Sequence, residues 1–274
     1  MKVLLTGGAG YIGTHTAISL IEAGHSVVII DNLGNSSEEA VRRVRDITGA
    51  DIPFYEADVR DESCLDDIFT TYSVDAVIHF AGLKAVGESV EKPLVYYQNN
   101  LNSTLVLLAA MQRHAVTNLV FSSSATVYGI PSELPLTEDS TVGIGLTNPY
   151  GKTKYMLEEI LRDFSTANPD FHMTILRYFN PVGAHISGRI GEDPQGIPNN
   201  LLPFVAQVAV GTRETVMVFG DDYDTPVVPE SVIISMWLIW QRPRSSIRAR
   251  PARCHDIQPW HRQRNVSARS HPGL

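Results

Sequence analysis

Three stretches of this chain bring together residue types that can do chemistry. The first is Thr6-Gly7-Gly8-Ala9-Gly10-Tyr11-Ile12-Gly13, which follows the short run Lys2-Val3-Leu4-Leu5 and opens a helix. Gly7 and Gly8 permit a tight turn, Gly10 lets the backbone approach a pyrophosphate, and Gly13 lets helix and strand pack closely. The N–H groups at the helix start then face the phosphates. Asp31 ends the next apolar run, Val27-Val28-Ile29-Ile30, where a carboxylate accepts hydrogen bonds from the hydroxyls of an adenosine ribose. A 2′-phosphate there would be repelled, so the expected cofactor is NAD rather than NADP.

The second stretch is Ser122-Ser123-Ser124, after the apolar run Asn118-Leu119-Val120-Phe121, at the sheet edge where a nicotinamide would lie. The third is Asn148-Pro149-Tyr150-Gly151-Lys152-Thr153-Lys154, with Asn148 suited to an N-cap and Pro149 to the first helical position. Tyr150 and Lys154 are four apart and share a helix face. A phenol with an ordinary pKa of about 10 is a poor base near neutrality. A lysine cation and a positively charged nicotinamide both favour the phenolate. Tyr150 can then take the proton from a substrate hydroxyl while the carbon gives a hydride to NAD. Ser124 would hydrogen-bond that same oxygen, and Lys154 would also reach the nicotinamide ribose. A Tyr-x-x-x-Lys pair alone is ordinary on a helix surface; the glycine loop and serine-bearing strand end upstream decide for chemistry. His79 reads as a buried, hydrogen-bonded histidine and not as a catalyst.

Positioning these groups requires alternating strands and helices. Apolar runs predict strands at 2–6, 26–31, 52–56, 74–80, 117–122 and 172–177, with helices near 12–23, 36–47, 61–72, 92–114 and 149–167. This is an α/β pattern: a doubly wound parallel sheet, a Rossmann fold that binds ligands at the carboxyl ends of its strands. It fills residues 1–180. Residues 181–226 turn rich in Gly, Pro and Asn, with one helix expected at 198–211 and one strand at 215–219, and read as the start of a smaller substrate lobe.

At 274 residues and 43% apolar content the composition is that of a globular protein with a substantial core. Two cysteines, Cys64 and Cys254, make no disulfide framework, and Met1-Lys2 precedes only three apolar residues, so a reducing cytoplasm is expected. The longest late apolar run, 232–240, is too short for a membrane span. No metal is expected.

These motifs together resemble the extended short-chain dehydrogenase/reductase family, and within it most closely the nucleotide-sugar epimerases. The similarity runs from residue 1 to about 226 through Thr6–Gly13, His79–Ser89, Ser122–Gly129, Pro149–Lys154, Arg177–His185 and Gly191–Leu201. The last two blocks are far more specific than the family-wide motifs. Related dehydratases carry an Asp-Glu pair after the active-site Ser or Thr, whereas Ser124 is followed by Ala125 and Thr126. The resemblance implies that Gly7, Gly10, Tyr11, Ile12, Gly13, Asp31, Asn32, Asn35, Ser36, Asp58, Val59, Phe80, Ala81, Gly82, Lys84, Asn99 and Tyr178 bind the cofactor. It implies Asn180, Asn200 and Leu201 as uridine diphosphate contacts, and Val218 and Phe219 as part of a uracil pocket. The implied reaction interconverts UDP-glucose and UDP-galactose: oxidation at C4, rotation of the 4-keto sugar, and hydride return to its other face. Family members commonly form homodimers through two helices flanking the sheet, here those near 92–114 and 149–167. Two other readings stay open: a related nucleotide-sugar oxidoreductase, and an inactive NAD-binding fragment.

The charge distribution divides the chain. Residues 1–226 hold 14 basic and 28 acidic residues, whereas 227–274 hold eight arginines, no lysine and only Glu230 and Asp256. All three tryptophans, Trp237, Trp240 and Trp260, lie in that tail. Joining the last base of each codon from Val227 to Trp240 with the first two of the next permits Gly-Thr-Gly-Val-Arg-Asp-Tyr-Ile-His-Val-Val-Asp-Leu, the block expected next in such an epimerase. The expectation is a frameshift near codon 227, with 227–274 not natively folded, rather than a basic tail or a nucleic-acid-binding arm. Neither nucleic acid nor a membrane is expected as a partner.

Overall fold

Runs that are apolar at every position, such as Val27-Val28-Ile29-Ile30, need cover on both faces of a sheet. In the computed structural model they have it. It describes residues 1–216 apart from 132, 195, 197 and 199, and beyond them only the strand segments 234–236 and 255–257. Strands β1 (Lys2–Thr6), β2 (Ser26–Asp31), β3 (Phe54–Glu56), β4 (Ala76–His79), β5 (Asn118–Ser124) and β6 (His172–Tyr178) form a parallel sheet. Its order is β3-β2-β1-β4-β5-β6, extended by β9 (His255–Ile257) alongside β6. The direction of progression reverses between β1 and β4, which opens a crevice beyond their carboxyl ends.

Helices α1 (Tyr11–Glu22) and α2 (Glu38–Thr48) cover one face, and α3 (Glu62–Thr71), α5 (Pro93–Arg113) and α6 (Pro149–Ala167) the other. Alternate strand residues divide between the two cores. Leu4, Val28 and Ile30 pack with Leu65, Leu107, Met111 and Leu161 on one side. Val3, Leu5, Val27 and Ile29 pack with Ala17, Ile18, Val41 and Val44 on the other. The short helix α4 (Val86–Glu91), a 3-10 turn at Ala125–Tyr128, strand β7 (Asn180–Val182) and helix α7 (Leu201–Ala209) complete the described chain, with β8 (Ile234–Met236) parallel to β7.

The helix and strand expectations hold to within a few residues. Strand β7 was not expected, nor were β8 and β9, which lie in the tail read as not natively folded and pair with β7 and β6. Three further differences stand out. β5 runs two residues past the expected end, through Ser123 and Ser124, because these pair with Arg177 and Tyr178 of β6. The 86–91 segment forms a helix of its own before Pro93 restarts the chain as α5. Residues 215 and 216 carry no strand, and the remainder of the strand expected at 215–219 lies outside the described residues, as does most of 227–274. Among the described residues no helix is long and apolar enough to cross a membrane, and no group of His, Cys, Asp and Glu could hold a metal ion.

Beneath the carboxyl edge a buried carboxylate ties three elements together. Glu158 of α6 is fully buried and accepts hydrogen bonds from Arg177 Nε (3.1 Å) and Nη2 (2.8 Å) of β6 and from Ser123 Oγ (2.5 Å) of β5. Arg177 Nη1 donates onward to Tyr128 Oη and to the Glu138 carbonyl. Burial works against the guanidinium charge, yet the Glu158 carboxylate and the Tyr128 hydroxyl hold its pKa above the ordinary value.

Removing one partner of a buried ion pair leaves the other charge uncompensated. Glu158→Ala should therefore lower unfolding stability by about 3–5 kcal/mol in urea titrations, and Glu158→Leu with Arg177→Met by much less. A Glu158→Ala chain as stable as the parent would show that this pair does not hold α6 to the sheet.

Candidate functional site

A cavity of about 510 Å³ opens at the carboxyl ends of β1, β2, β4, β5 and β6, within the ordinary range for small-molecule sites. One end is built by the glycine loop. Gly7 has φ +66°, and a Cβ there would come within 2.7 Å of Ala81 N, so only glycine lets the loops after β1 and β4 approach this closely. A Cβ on Gly13 would meet Gly8 Cα at 2.6 Å, which is the close packing of α1 on the loop. The N-cap of α1 is Gly10, and no side chain caps the helix, so its first-turn N–H groups are left for an anion in the cavity. These observations fit a dinucleotide pyrophosphate.

Asp31 ends β2 and is held rigidly. Oδ2 accepts from Ala9 N (3.0 Å), and Oδ1 from Leu33 N (2.9 Å) and Ser36 Oγ (2.9 Å). Asp58 anchors the neighbouring loop, accepting from Asn32 Nδ2 (3.0 Å) and bidentately from Arg60, whose guanidinium holds the Asp58 carboxyl down at about 2. Asn32, Asn35, Ser36, Asp58 and Val59 all line this end. At the end of β4, Phe80, Ala81 and Gly82 line the cavity with Lys84, while Asn100 pins the loop by accepting from Leu83 N (2.8 Å) and donating to the Leu83 carbonyl and to Thr153 Oγ1 of α6. His79 lies buried between Thr6 Oγ1 (2.6 Å) and Thr104 Oγ1 (3.0 Å), and burial takes its pKa down to about 3. It stays neutral and holds β1 and β4 to α5, as expected of a structural histidine.

The other end carries Ser124, Tyr150 and Lys154 together. Asn148 caps α6 by accepting from Gly151 N (2.8 Å), and Pro149 occupies the first turn, so Tyr150 enters the helix at its mouth. Lys154 donates to the Ser122 carbonyl (2.6 Å) and lies over the Phe121 ring. Burial lowers its pKa to about 8, partly opposed by Glu158 one turn along. Burial raises the Tyr150 pKa, and a hydrogen bond with Ser124 works in the opposite direction. The phenolate expected from Lys154 is thus not favoured by the protein alone, since desolvation of the phenol outweighs the help it receives.

Every expected cofactor residue lines the one cavity: Gly7, Gly10, Tyr11, Ile12 and Gly13 at the loop, Asn99 on α5, and Tyr178 at the end of β6, besides those above. Asn180 and Asn200 also line it. Leu201, exposed at the start of α7, does not. Val218 and Phe219 lie outside the described residues. Sequence inspection missed Thr126, whose buried Oγ1 lacks a hydrogen-bond partner and lines the cavity beside Ser124. It also missed Arg43, Arg189, Ile190 and Glu192, whose shared wall joins residues far apart in the chain and leaves no local pattern.

The NAD dependent epimerase/dehydratase family matches residues 3–225. The UDP-glucose 4-epimerase of Bacillus subtilis is 60% identical over 225 residues, which is 82% of this chain and 66% of that protein. The mouse UDP-glucose 4-epimerase is 59% identical over 230 residues, again 66% of its length. This chain therefore spans just under two thirds of the length of these two relatives. Among solved structures, the UDP-glucose 4-epimerase of Bifidobacterium longum in complex with NAD+ and UDP superposes with a TM-score of 0.85 at 55% identity, covering 88% of this chain and 72% of that one.

Lys154 gives the site a pH signature. Below about pH 8 both folded and unfolded chains carry its proton; from about 8 to 10.5 only the unfolded chain does, so this group's penalty fades as pH rises. Relative to Lys154→Met, the stability of the parent should climb by about 3 kcal/mol across that interval. A flat difference between the two unfolding curves would place the ammonium in solvent.

Proposed function

Since the chain belongs to the NAD dependent epimerase/dehydratase family, we propose that its cleft is built for NAD and a UDP-sugar, and that the intact fold works as a UDP-glucose 4-epimerase. One observation carries this: a single cavity is lined at one end by Gly7, Gly10 and Asp31 and at the other by Ser124, Tyr150 and Lys154. NAD, when bound, supplies a hydride acceptor that returns the same hydride, so turnover has no net redox change.

The protein's own share is binding and proton movement. The glycine loop and the uncapped start of α1 hold the pyrophosphate, and Asp31 accepts from the adenosine ribose. Tyr150 removes the proton of the sugar 4-hydroxyl and later restores it, while Ser124 and Thr126 present hydroxyls beside it. Lys154, still cationic at neutral pH, supports the phenolate. Asn180 and Asn200 bind the diphosphate end. Leu201, Val218 and Phe219 are assigned to the nucleotide by resemblance alone.

A homodimer contact is proposed on the outer face of α5 and α6, supported by an apolar groove there between Leu105, Leu108 and Ala109 on one side and Ile160 and Phe164 on the other. The proposed setting is the cytoplasm, in keeping with a chain of only two cysteines. Residues 181–226 are proposed as the beginning of the UDP-sugar lobe and 227–274 as a shifted reading of its continuation, so that this chain holds NAD but turns over no UDP-galactose.

Two measurements test this reading. A chain with the frame restored near codon 227 should convert UDP-galactose to UDP-glucose, and Tyr150→Phe within it should lose at least about 100-fold in kcat with little change in NAD content. Equal turnover by the 274-residue and restored chains would end the frameshift proposal, and near-normal turnover by Tyr150→Phe would end its assignment as base. Equilibrium binding should also favour NAD over NADP in the parent, with Asp31→Ala weakening NAD. Equal affinity of the parent for both would remove Asp31 from its role.

A further inference from the structure

The segment from Gly183 to Glu192 belongs by sequence to the substrate side, yet its contacts are with the dinucleotide half. Tyr11 Oη donates to the Gly183 carbonyl at 2.7 Å. His185 N donates to the Ile190 carbonyl (3.0 Å) and Gly188 N to the His185 carbonyl (2.8 Å), closing a turn with Gly188 at φ +67° and Ile186 almost wholly in solvent. Beyond the turn the chain grips α2: Arg189 Nη2 meets Asp46 Oδ2 at 2.6 Å, and Arg43 Nη1 donates to the Arg189 carbonyl at 2.9 Å. Ile190 is only 7% exposed and is a member of the apolar cluster that contains Ala9, Ile29 and Val41. Glu192 then accepts from Lys84 Nζ (3.4 Å) and Asn200 Nδ2 (2.7 Å). Arg189, Ile190 and Glu192 line the same cavity as Gly7 and Asp31.

We propose that Gly183–Glu192 is a strap that retains the dinucleotide, with Ile190 its main anchor and Arg189 its clasp on α2. The proposal rests on the NAD reading above. The strap closes a wall of the adenosine end of the cleft, so a dinucleotide seated between the glycine loop and Asp31 leaves only when the strap lifts. Exposed ion pairs such as Arg189–Asp46 hold weakly, whereas an apolar side chain removed from water holds firmly, so the anchors are unequal. Apart from the link of Glu192 to Asn200, all these contacts are made to residues 1–100 or within the strap. Retention is therefore independent of the lobe beyond Asn200, and the 274-residue chain should keep its NAD.

The test is exchange of bound NAD on the 274-residue chain. Protein carrying NAD, quantified after denaturation, is mixed with excess isotopically labelled NAD and the bound label is followed in time. Ile190→Ala should exchange at least about tenfold faster than the parent, since a truncated core side chain loses its anchorage. Arg189→Asp, which sets two carboxylates together at an exposed site, should exchange about fivefold faster. Arg189→Asp combined with Asp46→Arg should return toward the parent rate, a rescue that general loosening of the fold would not give. If Ile190→Ala fails to fold by circular dichroism, the charge-swap pair decides alone. Parent-like exchange in the Arg189→Asp chain, or no rescue by the swap, would overturn the strap while leaving the NAD reading intact. A parent that binds no NAD at all would overturn both.

Discussion

The geometry of the reactive end depends on a single buried carboxylate. Glu158 receives Arg177 from β6 and Ser123 from β5, and each of these is the immediate neighbour of a cleft residue, Tyr178 and Ser124. One turn earlier on the same helix, Lys154 closes on the Ser122 carbonyl. Two adjacent residues of β5 are thus clamped to two successive turns of α6, and the register of the helix against the sheet is specified by hydrogen bonds as well as by packing. Desolvating such a pair is costly, and an apolar substitute could match it for stability. What directional bonds add is a defined position, which a site built from Ser124 and Tyr150 requires.

The opposite end of the cleft is set by different physics. There the constraint is steric: the loops after β1 and β4 approach so closely that Gly7 has no room for a side chain, and α1 begins without a capping group. Asp31 spends one carboxylate oxygen on Ala9 N and the other on Leu33 N and Ser36. Its orientation is therefore set before any ligand arrives; Oδ1 has both lone pairs engaged, and Oδ2 keeps one for a ligand hydroxyl. Sheet order joins the two ends, because the reversal between β1 and β4 brings the glycine loop and the end of β5 to one crevice.

Much of this was legible in the sequence. Strands whose apolar runs are unbroken, such as 2–6 and 26–31, and a helix with a definite cap at Asn148-Pro149 were readable because the signals are local. The glycine loop and Asp31 follow from spacing within a strand–loop–helix–strand context, and Tyr150 and Lys154 from their spacing together with that loop and the serine-bearing strand end. Three kinds of feature were not legible. Ser123 and Ser124 carry little strand propensity, and pairing with Arg177 and Tyr178 of β6 makes them strand. The six residues of α4 are too few for a helical period to show. The wall formed by Arg43, Arg189, Ile190 and Glu192 joins residues about 150 positions apart, so no window contains it. The tyrosine itself was half legible: its place was right, but the dominance of burial over the Ser124 hydrogen bond depends on a cavity that only the fold creates.

The burial of Ile190 has a bearing on the order in which the protein is made. The other buried members of its apolar cluster fall between Val3 and Ile78. That cluster is assembled from the first strands to leave the ribosome, but it is not sealed until the chain has been extended by more than a hundred residues. The nucleotide half of the domain thus combines early local contacts with one late, distant closure, a pattern of high contact order that slows the final step of folding. During synthesis the adenosine end of the crevice stands open, and the molecule has a period in which a ligand can enter from the side that is later covered.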